Sequence, residues 1–231
     1  MSVPLATRVS CVTVDYGGTL TLQPSHITGQ LVARVLAEQF AVTVPDEFPA
    51  VFDLLYRGQP AETLRAAATR TGTVLPADPG KVAEAVQQET TERPVDPRAA
   101  RAVTVLHQRG FRLLLAANTP RGHVERCATL ARAGILDCFA DIVLSSTLGA
   151  EKPDSRFYRA TLRAAGCRAA HVVFVGDRLV TDVLGPLAHG MRAVLVDRHG
   201  HAEEAPEGVP VVGHLAEVPR LLDNETKGAL R

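Results

Sequence analysis

No apolar run in this chain approaches the ~20 residues that a helix needs to cross a bilayer, so a membrane-spanning protein is not expected. Between Met1 and Ser10 no charged stretch leads into a long apolar one, the pattern of a secretory signal, and a cytoplasmic location is expected. The four cysteines (Cys11, Cys127, Cys138 and Cys167) are widely spaced and form no CxxC pair, which argues against a disulfide framework or a structural zinc. Reduced, buried thiols are expected instead. An excess of one charge is also missing. With 25 Lys and Arg against 25 Asp and Glu, there is no average field to draw the chain onto nucleic acid or anionic lipid. Aromatics are scarce at 4%, and lysine is scarcer, with only Lys81, Lys152 and Lys227 among 25 basic residues. What is present, 46% apolar and 22% charged residues in a length of 231, is an ordinary globular composition sufficient for one sizeable domain or one domain with an insertion.

Five short apolar runs carry the strand signal: Arg8 to Val14, Arg112 to Ala116, Asp141 to Leu144, His171 to Val175 and Arg192 to Val196, with a weaker run near Val209 to Val212. Runs of four to eight such residues, ended by turn formers, read as buried strands. Helical spacing fills the gaps. Val124, Cys127, Ala128 and Ala131 precede Gly134, and Phe157 to Ala165 precede Gly166, each glycine suited to a helix C-terminus. Strand and helix in alternation imply a Rossmann-like α/β fold, a parallel sheet with helices on both faces. The stretch from 21 to 95 breaks that alternation. It shows Ile27, Leu31 and Val35 on one helical face, Phe48, Val51, Phe52 and Leu55 on another, and further helical patterns at Ala61 to Arg70 and Lys81 to Glu89. The expected organisation is therefore a core of residues 1–20 and 96–231 with an inserted helical domain, 21–95.

In an open parallel sheet, ligands bind beyond the carboxyl ends of the strands. At those ends stand Asp15, then Asn118-Thr119-Pro120, then Lys152-Pro153, then Gly176-Asp177 with Asp182 five residues on. Two or three carboxylates, an amide and one lysine suit a divalent cation and a phosphate, because hard cations take carboxylate oxygens and lysine neutralises phosphate oxygens. Arginine serves nearly everywhere else, so a lysine at 152 points to a need for a compact ammonium.

These segments resemble the haloacid dehalogenase-like superfamily of hydrolases, in order and over nearly the whole chain: DYGGTL at Asp15 to Leu20, a helical cap directly after it, LLLAANTP at Leu113 to Pro120, EKPDSRFY at Glu151 to Tyr158, and VGDRLVTDVLGPLAHGM at Val175 to Met191. The resemblance implies a nucleophilic Asp15 that takes the phosphoryl group of a small phosphorylated substrate. It implies Mg2+ held by Asp15, Gly17, Asp177 and Asp182, the last directly or through water. Lys152 would hold Asp15 and the phosphate, Asn118 and Thr119 would belong to the phosphate-binding loop, and Gly17, Gly18 and Thr19 would shape the turn around the nucleophile. Two positions depart from the family pattern. Phosphatases of the family carry an acid/base Asp where this chain has Gly17, a group worth roughly 100- to 10,000-fold in rate, and a Ser or Thr where it has Ala117.

Three functions follow from the resemblance. The first is a Mg2+-dependent phosphatase that favours leaving groups needing little protonation. The second is related chemistry on the same scaffold. Phosphonate-cleaving members carry a small residue at position 17 but also need a cap lysine, and here the cap offers only Lys81; halide-displacing members carry Tyr at 17 and dispense with the metal. The third is a non-catalytic binding module. His26, at the start of the cap, reads as a solvated helix-start histidine, with a stand-in acid as the alternative; Tyr16 reads as a packing side chain near the cap, and His189 receives no role.

Overall fold

A computed structural model describes residues 9–22, 27–56, 60–89, 93–198 and 205–228. The chain divides into two compact units, Met1–Pro24 with Arg93–Arg231, and Ser25–Glu92.

The first unit is built on six parallel strands: β1 (Cys11–Val14), β2 (Arg112–Ala117), β3 (Phe139–Leu144), β4 (Val172–Gly176), β5 (Arg192–Val196) and the two-residue β6 (Val211–Val212), in the order β3-β2-β1-β4-β5-β6. β1 begins at Cys11, and Arg8 lies outside the described residues. Because side chains alternate along a strand, each strand feeds two cores. Val12, Val14, Leu113, Leu115, Val173 and Val175 face one side, while Cys11, Leu114, Ala116, Val172 and Phe174 face the other.

Among the described residues, the second unit contributes four helices, α1 (Gly29–Phe40), α2 (Phe48–Leu55), α3 (Pro60–Thr71) and α4 (Pro79–Glu89). The sheet unit carries α5 (Pro97–Gln108), α6 (His123–Arg132), α8 (Ser155–Ala165) and α10 (Val218–Gly228), with single-turn helices α7 (Ser145–Leu148) and α9 (Gly185–Ala188). Prolines that look like punctuation in the sequence fall at the starts of α2, α3, α4 and α5, where a missing N–H costs nothing and φ is already helical. The apolar faces of α5 (Ala99, Ala102, Val103, Leu106) and α10 (Val218, Leu222) cover the first core. Phe157, Tyr158 and Ala165 of α8 cover the second.

The helical unit has its own core of Val32, Val35, Leu36, Phe48, Phe52, Leu64, Ala67, Val82 and Val86. Phe48, Phe52 and Tyr56 stack in series along α2 at 6.2 and 5.5 Å between ring centroids. α1 starts so close to α2 that a Cβ on Gly29 would lie 2.0 Å from the Pro49 carbonyl oxygen.

Two expectations need correction. α6 forms, but its buried face is Arg126, Thr129 and Leu130, while Val124 is 82% exposed and Ala128 and Ala131 face solvent. The small apolar residues suggested the wrong stripe because the inward one is mostly polar. Of the four cysteines only Cys11 is buried; Cys127, Cys138 and Cys167 are half-buried, and all four are free thiols.

Candidate active site

β1 lies between β2 and β4, where the strand order reverses direction, the place at which an open α/β sheet forms its ligand crevice. Val14 is level with Leu115 of β2 and Val175 of β4. The next residue out, Asp15, is tied down by its own N–H donating to the Val175 carbonyl at 2.9 Å. Register alone thus brings the first carboxylate level with the ends of both neighbouring strands.

The chain leaves Asp15 through a wide turn, Tyr16–Leu20. Gly18 adopts φ +74°, and a Cβ there would sit 2.1 Å from Asp177 Oδ2, so only glycine lets the turn approach the opposite carboxylate. Gly17 differs: at φ −74°, ψ 125° its backbone is open to any residue. Its lack of a side chain is therefore not dictated by conformation. Gly176 repeats the tight approach on β4, since a Cβ there would lie 2.4 Å from the Cβ of Asp182.

Lys152 is the hub. Only 4% exposed, its Nζ donates to Asp15 Oδ1 and Asp182 Oδ1, each at 2.7 Å, and to the Ala116 carbonyl at 3.1 Å. Its backbone is clasped by Asn118, whose Nδ2 donates to the Lys152 carbonyl at 2.9 Å while its Oδ1 accepts from the Lys152 N–H at 2.8 Å. The side chain of Asn118 thus acts on Lys152. Thr119 Oγ1 accepts from the Arg121 N–H and from Arg126 Nη2, and its own N–H donates to Ser145 Oγ. The Thr19 hydroxyl is buried without a hydrogen-bond partner.

Oxygens of Asp15, Asp177 and Asp182 lie within 4.8 Å of one another. Asp182 has both oxygens engaged, Oδ1 by Lys152 and Oδ2 by the Arg178 N–H at 3.1 Å. Asp177 Oδ1 is buried with no hydrogen-bond partner, a costly arrangement for a carboxylate. Electrostatics follow the same division. Burial, with the charges of Asp15 and Asp182, pushes the Asp177 carboxyl up to about 8. Burial also raises Asp15, against the pull of Lys152. For Lys152, burial works against the ammonium, but Asp15 and Asp182 outweigh it and hold the charge on. Three carboxylates face the Lys152 ammonium, with the Arg178 charge also acting on Asp15 and Asp177, and with the orphaned Asp177 oxygen they form a donor set that a divalent cation fits. The residues that would hold Mg2+ are Asp15 and Asp177, with Asp182 orienting Lys152 beside them.

The geometry brings together Asp15, Gly17, Gly18, Thr19, Asn118, Lys152, Asp177 and Asp182. Position 117 is an alanine, 1% exposed, at the end of β2. His26 lies outside the described residues. Lys81 is exposed on α4, and His189 Nδ1 contacts the Gly185 carbonyl at 2.8 Å. Three contributors were missed from the sequence. Ser145 bonds both the N–H and the carbonyl of Thr119. The Tyr158 hydroxyl donates to the Thr181 carbonyl at 2.7 Å, beside Asp182, in a space open only because residue 185 is glycine. Arg126 stacks on Tyr16.

Comparison with known proteins follows the same lines. The chain is 36% identical over 141 residues to a phosphoserine phosphatase of Thermus thermophilus, an alignment covering 60% of this chain and 55% of that protein. It thus spans a little over half the length of that relative. Among solved structures it resembles the HAD-hydrolase YfnB of Bacillus subtilis bound to magnesium, with a TM-score of 0.64 at 19% identity, covering 94% of this chain and 100% of that one. A 2-haloacid dehalogenase of Pseudomonas syringae gives 0.60 at 24% identity, covering 94% and 99%. The fold is thus shared by proteins of different chemistry. Residues 9–190 match the model of the haloacid dehalogenase-like hydrolases, and the chain belongs to that family.

Proposed function

We propose that this chain is a cytoplasmic, Mg2+-dependent phosphoryl-transfer hydrolase acting on a phosphorylated small molecule, with Asp15 as its nucleophile. The observation that carries this reading is the pair of 2.7 Å contacts from Lys152 to Asp15 and Asp182, beside the unpartnered Asp177 oxygen. Lys152 fixes Asp15 through Oδ1, so Oδ2 is the oxygen that attacks phosphorus. As that bond forms, the bond from phosphorus to the leaving oxygen breaks, and the leaving group departs with the electron pair. Water then attacks the aspartyl phosphate and frees Asp15 and inorganic phosphate. A bound Mg2+ would neutralise phosphate charge, and Lys152 places a second cation at the same point. Similarity to a phosphoserine phosphatase supports the reaction class. With glycine at 17, both steps lack the acid/base carboxylate that phosphatases of the family carry there, so substrates with weakly basic leaving groups, such as acyl phosphates, fit best.

The test is intact-mass measurement of wild type and Asp15→Asn after incubation with Mg2+ and acetyl phosphate, with phosphate release followed in parallel. A phosphoryl adduct or phosphate release requiring both Asp15 and Mg2+ is expected. Build-up of adduct without release would assign the lost hydrolytic step to Gly17. Ala117 and Gly17 together favour one second reading, a binding module that keeps the cradle without turnover. Neither signal, in folded protein that binds Mg2+, would select that reading.

A further inference from the structure

The buried stripe of α6 places a guanidinium where a leucine would ordinarily pack. Arg126 is 3% exposed, in line with Thr129 and Leu130. A charge taken out of water destabilises a fold unless specific contacts offset the loss, and the contacts of Arg126 that do so include two beside the site. The Arg126 Cζ lies 3.5 Å from the centre of the Tyr16 ring, a cation–π stack. Its Nη2 donates to Thr119 Oγ1 at 3.3 Å. Each partner adjoins a residue of the site. Tyr16 directly follows Asp15 and is anchored at its far end by its hydroxyl, which donates to the Arg93 carbonyl at 2.8 Å. Thr119 directly follows Asn118, the clasp of Lys152.

We propose that Arg126 is a positioning residue, a cross-brace that fixes the turn carrying Asp15, Gly17 and Gly18 against the loop carrying Asn118, and so sets nucleophile and lysine in register. The inference rests on the phosphoryl-transfer reading above. It acts through Tyr16 and Thr119. The planar guanidinium suits both tasks, because it stacks with its face and donates from its edge; an ammonium cannot do both. The turn also needs bracing. Two successive glycines follow Tyr16, and they are the residues with the largest backbone freedom to lose. A hydroxyl at 117 that would add a polar contact is absent.

The test compares wild type, Arg126→Ala, Arg126→Lys, Tyr16→Leu and the double variant Tyr16→Leu with Arg126→Ala, reading the rate of adduct formation from acetyl phosphate with Mg2+. Each single change is expected to slow adduct formation about 10- to 100-fold at saturating Mg2+, the scale of a small misplacement of reacting groups. Lysine should not rescue. Guanidinium ion added to Arg126→Ala should, and the double variant should be no slower than the worse single one. Should Arg126→Ala fail to fold, Arg126→Lys and Arg126→Gln carry the comparison. A lower melting temperature with an unchanged rate per folded molecule overturns the proposal, as does a fully active lysine variant. If wild type itself forms no adduct, the phosphoryl reading fails, and the brace is judged by amide NMR. Gly17 and Gly18 resonances must then shift in Arg126→Ala, or in Arg126→Gln, and resonances that stay put overturn the brace.

Discussion

The two units bury different kinds of residue. Among the described residues, the helical unit buries no charged side chain; its buried polar groups are Thr63 and Thr73. The sheet unit buries Asp15, Asp96, Arg126, Lys152, Asp182, Arg192 and His214. Phe48, Phe52, Leu64 and Val82 are accounted for by removal of apolar surface from water, the ordinary source of stability. Lys152 with Asp15 and Asp182 is not, since apolar residues of similar volume are often at least as stabilising as a buried ion pair. The difference sets a unit held mainly by apolar burial against one whose buried charges include the site cluster as well as structural pairs such as Asp96 with His214.

The sharpest way to break this contrast is Asp15→Asn, expected to abolish adduct formation by about 10,000-fold or more while the fold persists, measured by intact mass and circular dichroism. Residual turnover would return Asp15 to a structural role. Next in size is Gly17→Asp, expected to raise phosphate release by about 100- to 10,000-fold; because position 17 sits at φ −74°, aspartate enters without backbone strain. An unchanged rate in folded protein would show that the gap at 17 does not limit the reaction. Lys152→Met should cost about 3–5 kcal/mol in urea unfolding, because it strands two buried carboxylates. Leu64→Ala in the helical unit should cost a comparable amount, about 2–5 kcal/mol, through the cavity it leaves, yet keep Mg2+ affinity unchanged in titration calorimetry. If Leu64→Ala weakens Mg2+ binding as well, the two units are not separable in this way.

A last effect concerns pH. Asp177 moves from the ordinary carboxylate value to about 8 in the folded, metal-free site. Between these values the folded state holds a proton that the unfolded chain has released, so stability should fall as pH rises from about 4 to about 8. Mg2+ competes with that proton, so its stabilising effect should grow over the same range, and Asp177→Asn should flatten both trends. Thermal unfolding with and without Mg2+ reads this directly. A metal-free profile that rises with pH across that window would contradict the geometry of Asp177.

Much of the sheet was legible because β-branched runs ended by glycine or aspartate mark strands delivering residues to one edge, and β5 runs over Arg192–Val196, the boundaries read from the sequence. The short edge strand β6 gave only a weak signal, having two paired residues. In the site, Asp15 and Asp177 were visible because they directly follow β1 and β4, and Lys152 and Asp182 because they lie in the segments after β3 and β4. The clasp of Asn118 on Lys152 spans 34 residues, and the approach of Gly18 to Asp177 depends on register between β1 and β4; neither leaves a local pattern. Arg126 was hidden for another reason. Hydropathy assigns a charged residue to the surface, and the partners that make its burial tolerable include the ring of Tyr16, 110 positions earlier in the chain.

The lysine scarcity also has a use at the bench. An amine is acylated only as its free base, and Lys152 is held protonated between two carboxylates and shut away from solvent. Lys81 stands exposed on α4. Amine-reactive reagents should therefore mark Lys81 early and reach Lys152 only when the carboxylate cluster opens. In a chain with three lysines, peptide mass mapping can count such events one by one. That supplies a gauge of site integrity for any variant before a single substrate has been found.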